Sequence, residues 1–198
     1  MALTAPAATV VSQTFMVATA VPDNSIVGLA DTRTLASGIT QITEVTLEAL
    51  FSGGWNGDLY AYLAHGSGFC VLLNRPGRTA SLRAGSPSSG LAVLFADSAA
   101  ADIHTAIPNT GPVTGTYQPD AREMFPTQTV STSPRTAYLA SFAGIPASGE
   151  WTLFVADMSL GSTTVLESWT LTITGVPEPS TSLLVVSAAW LVLRRRRL

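Results

Sequence analysis

The sequence contains no lysine, one cysteine, two histidines and only 12% charged residues. Each shortage closes off a kind of chemistry. With Cys70 as the sole thiol, no internal disulfide framework is open to the chain. Two histidines without a second cysteine also exclude the usual closed zinc sites. Cys70 lies in the apolar run Phe69 to Leu73 with nothing basic close beside it, so it is expected as a small buried hydrophobe and not as a reactive thiol. All positive charge is arginine, and the lack of lysine has no physical account. Up to residue 174 the chain carries twelve acidic groups and six basic ones, a balance of −6. Such a surface argues against a nucleic-acid partner, whose affinity rests on neutralising phosphates. A 3.6-residue apolar period is also missing before Pro179, which excludes a helical bundle.

What is present is a succession of short strand signals divided by turn residues. Thr43, Val45, Leu47 and Ala49 alternate with Glu44, Thr46 and Glu48, the period of a half-buried strand. Leu59, Ala61 and Leu63 share one face, with Tyr60 and Tyr62 on the other. Phe69 to Leu73 and Leu91 to Phe95 are continuous apolar runs, which predict strands covered on both faces. Strand signals resume at Ala137 to Phe142, at Trp151 with Leu153 and Val155, and at Trp169 with Leu171 and Ile173; both tryptophans are expected in the core. Loops rich in Gly, Ser and Pro separate these segments. The longest runs from Ala96 to about Arg135, so it is either functional or tied down by its own contacts. These signals predict an all-β sandwich whose edges are closed or covered.

The C-terminal segment has a different character. Val176, Pro177, Glu178, Pro179 and Ser180 form a proline-bracketed polar motif, which the prolines should keep extended and unable to continue the preceding strand. An apolar run from Leu183 to Leu193 follows, and then Arg194, Arg195, Arg196 and Arg197. A helix over 181–193 would be about 20 Å long, short for a bilayer core of about 30 Å unless residues toward Pro179 are drawn in. The terminal arginines would hold its C-terminus on the cytoplasmic side and could not be buried in a core without partners. This order of parts resembles the PEP-CTERM sorting signal of Gram-negative bacteria. The resemblance implies an exported protein, held briefly at the inner membrane, cut by an exosortase-type protease near Val176 to Pro179, and delivered to the cell surface or extracellular matrix, with extracellular polysaccharide as a candidate partner. Such a signal calls for an export leader. The first basic residue is Arg33 and MALTAPAATVV is weakly apolar, so the natural start is expected upstream, with Ala5 to Ala8 a remnant of a cleavage region. The predicted division is an N-terminal segment 1–11, a sandwich 12–174, a sorting motif 175–180, a transmembrane helix 181–193 and a cytoplasmic tail 194–198.

A second set of motifs lies within the sandwich. Val21-Pro22-Asp23-Asn24, Gly57-Asp58-Leu59, Leu73-Asn74-Arg75-Pro76-Gly77 and Phe95-Ala96-Asp97 occur in that order. They are followed by Gly115-Thr116-Tyr117-Gln118-Pro119, Phe142-Ala143-Gly144, Gly149-Glu150-Trp151-Thr152-Leu153, Val155-Ala156-Asp157 and Ser168-Trp169-Thr170-Leu171. Together they resemble the P domain (P/Homo B) that follows the catalytic domain of subtilisin-like proprotein convertases. The resemblance implies a jelly-roll-like β-sandwich. It also departs from the family pattern: Ser52 to Asn56 replaces a Thr-His step, and Gly161-Ser162 replaces a Gly-Asp pair, which weakens any calcium site carried over.

Few residues suggest a site. Asp58, Asp97 and Asp157 stand at strand ends, where they either converge on Ca²⁺ through their oxygens or cap turns; capping is preferred. Asp102 and His104, two apart in the proline-rich loop, would need a serine to complete a triad, but no G-x-S-x-G elbow supports one, and both are expected as solvated loop residues. His65 is expected in a turn. Trp55, between Gly54 and Asn56-Gly57, is expected to project from a loop as a sugar-stacking platform would. No catalytic residue is assigned. The chain is expected to be a non-enzymatic exported module, with a lectin-like binder or an accessory domain acting in trans on a secreted protease as alternatives.

Overall fold

The structure is a computed structural model and describes residues 7–108 and 111–178. Among these residues are nine strands: β1 Thr9–Ala20, β2 Ser25–Leu35, β3 Ile39–Gly53, β4 Leu59–His65, β5 Gly68–Asn74, β6 Leu91–Phe95, β7 Val113–Tyr117, β8 Gly149–Asp157 and β9 Thr164–Pro177. Short 3-10 helices occupy Asn56–Asp58, Ile103–Thr105 and Leu139–Phe142. The strands form a five-stranded sheet in the order β1-β9-β3-β6-β7 and a four-stranded sheet in the order β2-β8-β4-β5. The fold is thus all-β in two sheets. All pairings are antiparallel except β6 with β7. A parallel pair needs a crossover of a dozen or more residues, and the proline-bearing connection over 96–112 supplies it.

The alternation read from the sequence sets the inward faces. Leu59, Ala61 and Leu63 of β4, Trp151, Leu153 and Val155 of β8, and Trp169, Leu171 and Ile173 of β9 are all buried between the sheets. The two tryptophans anchor the core. Trp169 packs on Phe15 with ring centroids 4.5 Å apart, and Trp151 on Phe142 at 5.0 Å. Each indole N–H has an acceptor, Asp31 Oδ2 at 2.7 Å for Trp169 and the Ala147 carbonyl at 2.9 Å for Trp151. Cys70 is buried and free, and burial pushes its thiol pKa up, as expected for an inert side chain.

Several expectations need correction. Ala137 to Phe142 is not a strand; its last four residues form the 3-10 helix Leu139–Phe142, because both Asp97 oxygens accept from the first amides of that turn, Leu139 N at 3.1 Å and Ala140 N at 2.7 Å. Leu91 to Phe95 is covered on one face only, with Ala92 exposed on the other. Thr43 is exposed and not inward, because a register shift between Ile42 and Glu44 turns it out.

The sandwich also reaches further than 12–174. β1 begins at Thr9, and β9 runs on through Val176 and Pro177, paired with Gln41 and Ile39. The proline is tolerated there because the pairing shifts register between Ile39 and Gln41, at the point where β1 no longer flanks β9. Glu178 is exposed, and its N–H donates to the Gly38 carbonyl at 2.9 Å. Pro179, Ser180, the apolar run and Arg194 to Arg197 lie outside the described residues. Among the described residues no helix is long and apolar enough to cross a membrane.

Candidate functional site

Trp55 stands at one end of the sandwich because two glycines reverse the chain before it. Gly53 (φ +65) and Gly54 (φ +63) both occupy the left-handed region, where a Cβ is disfavoured. Trp55 then leads into the 3-10 helix Asn56–Asp58 and is 49% exposed. Its ring lies over Gly161, where any side chain would meet it at 3.9 Å. The loop below is pinned: the Asn56 amide donates to Ser88 Oγ and to the Gly90 carbonyl, both at 2.9 Å. Trp55 therefore projects as predicted, but among the described residues no second aromatic ring stands beside it. A sugar platform there would consist of a single ring.

Beneath Trp55 lies a buried charge cluster. Arg75, held in the left-handed region (φ 56), donates from Nε to the Gly57 carbonyl at 2.7 Å and from Nη2 to Asp58 Oδ1 and Ser159 Oγ, both at 3.1 Å. Asp157 faces Asp58 across the Leu59–Asp157 pair and accepts from Ser159 N at 3.1 Å. Asp97 does not join them. It caps the 3-10 helix Leu139–Phe142, whose Ser141 bonds Phe69 opposite Ala64, at the far end of β4 from Asp58. The proposed calcium set of Asp58, Asp97 and Asp157 is thus split by the length of a strand. Among the described residues no group of three His, Cys, Asp or Glu side chains is arranged to hold a metal ion.

Burial raises the pKa of Asp58, opposed by Ser159 and Arg75 and reinforced by Asp23. Burial likewise raises Asp157, opposed by the Ser159 N–H and reinforced by Asp58 and Asp23. The folded chain therefore holds these protons more tightly than the unfolded chain. Their contribution to stability is present at low pH and is lost as pH rises from the ordinary value of 3.8 through the raised folded values. Asp157→Asn is expected to remove part of this dependence. Over that window the parent should lose more stability with rising pH than the variant, as read by urea denaturation at successive pH values.

The proline-rich loop is fastened by a second buried cluster, and here the sequence misleads. His104 is 1% exposed and Asp120 0%. His104 Nδ1 lies 2.7 Å from Asp120 Oδ2, and Nε2 lies 2.8 Å from the Arg78 carbonyl. Arg122 Nη1 donates to the other Asp120 oxygen at 3.0 Å, and Nη2 donates to Asp102 Oδ2 at 2.9 Å. Arg135 closes the network onto Gln118 Oε1 at 3.0 Å. His104 is thus a cross-link and not a solvated loop residue, and Asp102 is an ion-pair partner. His65 is also no turn residue: it ends β4, stacks on Trp151 at 4.0 Å and 5°, and faces the Glu150 and Pro146 carbonyls at 2.8 Å each. Every imidazole nitrogen in the chain already faces an oxygen of the fold, so neither histidine offers a free general base to a serine.

The geometry defines an all-β, two-sheet sandwich with buried ion-pair clusters. No family model and no curated protein matches the chain. Among solved structures, a serine protease of Aeromonas sobria is similar at TM-score 0.50 and 16% identity, over 86% of this chain and 27% of that one. The complex of an Aeromonas sobria serine protease with its chaperone aligns at TM-score 0.48 and 16% identity, over 87% of this chain and 28% of that one. The first likeness is one of fold, and this chain spans little more than a quarter of the length of either matched chain.

Proposed function

We propose that the chain is a non-enzymatic, P-domain-like β-sandwich carried to the cell surface or extracellular matrix on a C-terminal sorting tail. The observation that carries this is the order of parts after the last strand. Among the described residues both sheets end by Pro177, and in the sequence the apolar run with its four arginines begins only beyond that point. The tail is then an appendage that an exosortase-type protease removes at the inner membrane. The ordered register of P-domain-like motifs supports the sandwich half of the reading. Asp23 and Asn24 form a tight turn between β1 and β2, with Asn24 in the left-handed region (φ 48). Asp58 and Asp157 sit at the paired ends of β4 and β8.

The test is a stop codon after Glu178, which keeps the whole of β9. In cells containing the sorting machinery, this truncation is expected to leave the thermal midpoint unchanged while abolishing C-terminal processing and altering the protein's location. Unchanged location and processing would remove the reading.

A further inference from the structure

We propose that the cavity between the 78–83 turn and residues 127–130 is a binding site for a phosphate-type oxyanion. The cavity is about 260 Å³ and is lined by Arg78, Thr79, Arg83, Thr127 and Gln128, among others. Its inner wall is an unusual arginine. Arg78 is 7% exposed, and its Nη1 donates to the Pro126 carbonyl at 2.6 Å and its Nη2 to the Thr127 carbonyl. These carbonyls orient the guanidinium but carry no neutralising charge. Its Nε–H is buried and has no acceptor.

Every aspartate and glutamate of the chain lies among the described residues, and none pairs with Arg78 or Arg83. The neighbouring charges only worsen the situation: after burial itself, Arg75 and Arg83 are what depress the Arg78 pKa. Arg75 is already committed to Asp58. A buried cation without a counter-charge is costly to keep, and an incoming anion relieves that cost.

The lining fits such a ligand. Arg83 is exposed at the rim, so one cation is fixed within and one is free to close over the opening. Guanidinium groups bind phosphate and carboxylate through charge-assisted hydrogen bonds, and the exposed Thr127 and Gln128 side chains add neutral donors. Two cations with no acid among them match a dianion better than a single carboxylate, and this selects phosphate, free or as a monoester.

The test uses the full ¹⁵N-labelled chain and follows the Arg78 Nε–H resonance as inorganic phosphate is added at constant ionic strength. A saturable shift of that resonance is expected. Arg83→Ala, at an exposed position, should keep the thermal midpoint without phosphate and weaken phosphate binding about tenfold, the loss of one charge-assisted contact. Gln128→Glu, which sets a carboxylate in the cavity, should abolish binding. A second arm uses glucose 6-phosphate: equal affinity identifies a monoester as the ligand, and binding of inorganic phosphate alone identifies the free ion. The proposal is overturned if neither probe shifts the resonance saturably, if chloride at matched ionic strength produces the same shift, or if Arg83→Ala binds as tightly as the parent.

Discussion

Asp120→Ala is expected to lower the unfolding free energy by about 3–5 kcal/mol, the cost of leaving buried partners uncompensated. That is a large part of the total of about 5–15 kcal/mol for an ordinary domain. The effect is large because one fully buried carboxylate serves two cationic or hydrogen-bonding groups at once. Its Oδ2 faces His104 Nδ1 and its Oδ1 accepts from Arg122 Nη1. It also accepts the Asn74 backbone N–H at 3.3 Å, which ties the loop to β5. Asp102 sits in the same network but its side chain is 14% exposed, so water can replace it. Asp102→Ala should therefore cost clearly less. Urea denaturation of both variants, followed by tryptophan fluorescence, decides the matter. Equal losses would mean that Asp120 is not the point at which the loop is held.

The second large effect is expected at Trp151. Trp151→Ala should cost about 3–5 kcal/mol through the cavity it leaves. The indole is fully buried, its N–H is satisfied by Ala147, and it packs on both His65 and Phe142. Removing it also strips the stacking surface from an imidazole whose nitrogens are fixed by two carbonyls. Trp55→Ala supplies the contrast. That ring is half exposed, and its loss should change stability by no more than about 0.5 kcal/mol, as for surface positions away from buried networks. A thermal midpoint that falls equally in the two variants would contradict this assignment of core and surface.

The parts of the fold that were legible in the sequence are those in which one side chain's neighbours are set by period alone. Trp169, Leu171 and Ile173 read as inward because β9 alternates regularly from Trp169 to Gly175, past the irregularity at Glu167 and Ser168. Leu59, Ala61 and Leu63 read as inward because β4 alternates throughout. The 3-10 helix at Leu139–Phe142 was not legible, since a short apolar run has no period to distinguish strand from turn and the signal that decides it, Asp97, lies more than forty residues away. The cluster around Asp120 was hidden for a related reason. Asp102, His104, Asp120, Arg122 and Arg135 look like solvated residues in a proline-rich loop, and only the folded path brings their charges into register. Arg78 was equally silent, because an unpaired buried arginine leaves no mark on local sequence. Trp55, by contrast, was announced by its flanking glycines.

The place of β9 has a consequence for the order of events in the cell. This strand is the last among the described residues, yet it lies inside the five-stranded sheet, between β1 and β3, with Thr9 opposite Gly175. A nascent chain lacking its final segment has no surface on which β1 can pair within that sheet. The sandwich must therefore wait until synthesis has passed Pro177, and contacts of such sequence separation form slowly. Delayed closure leaves β1 and the neighbouring edge of β3 without their shared partner until β9 has been made.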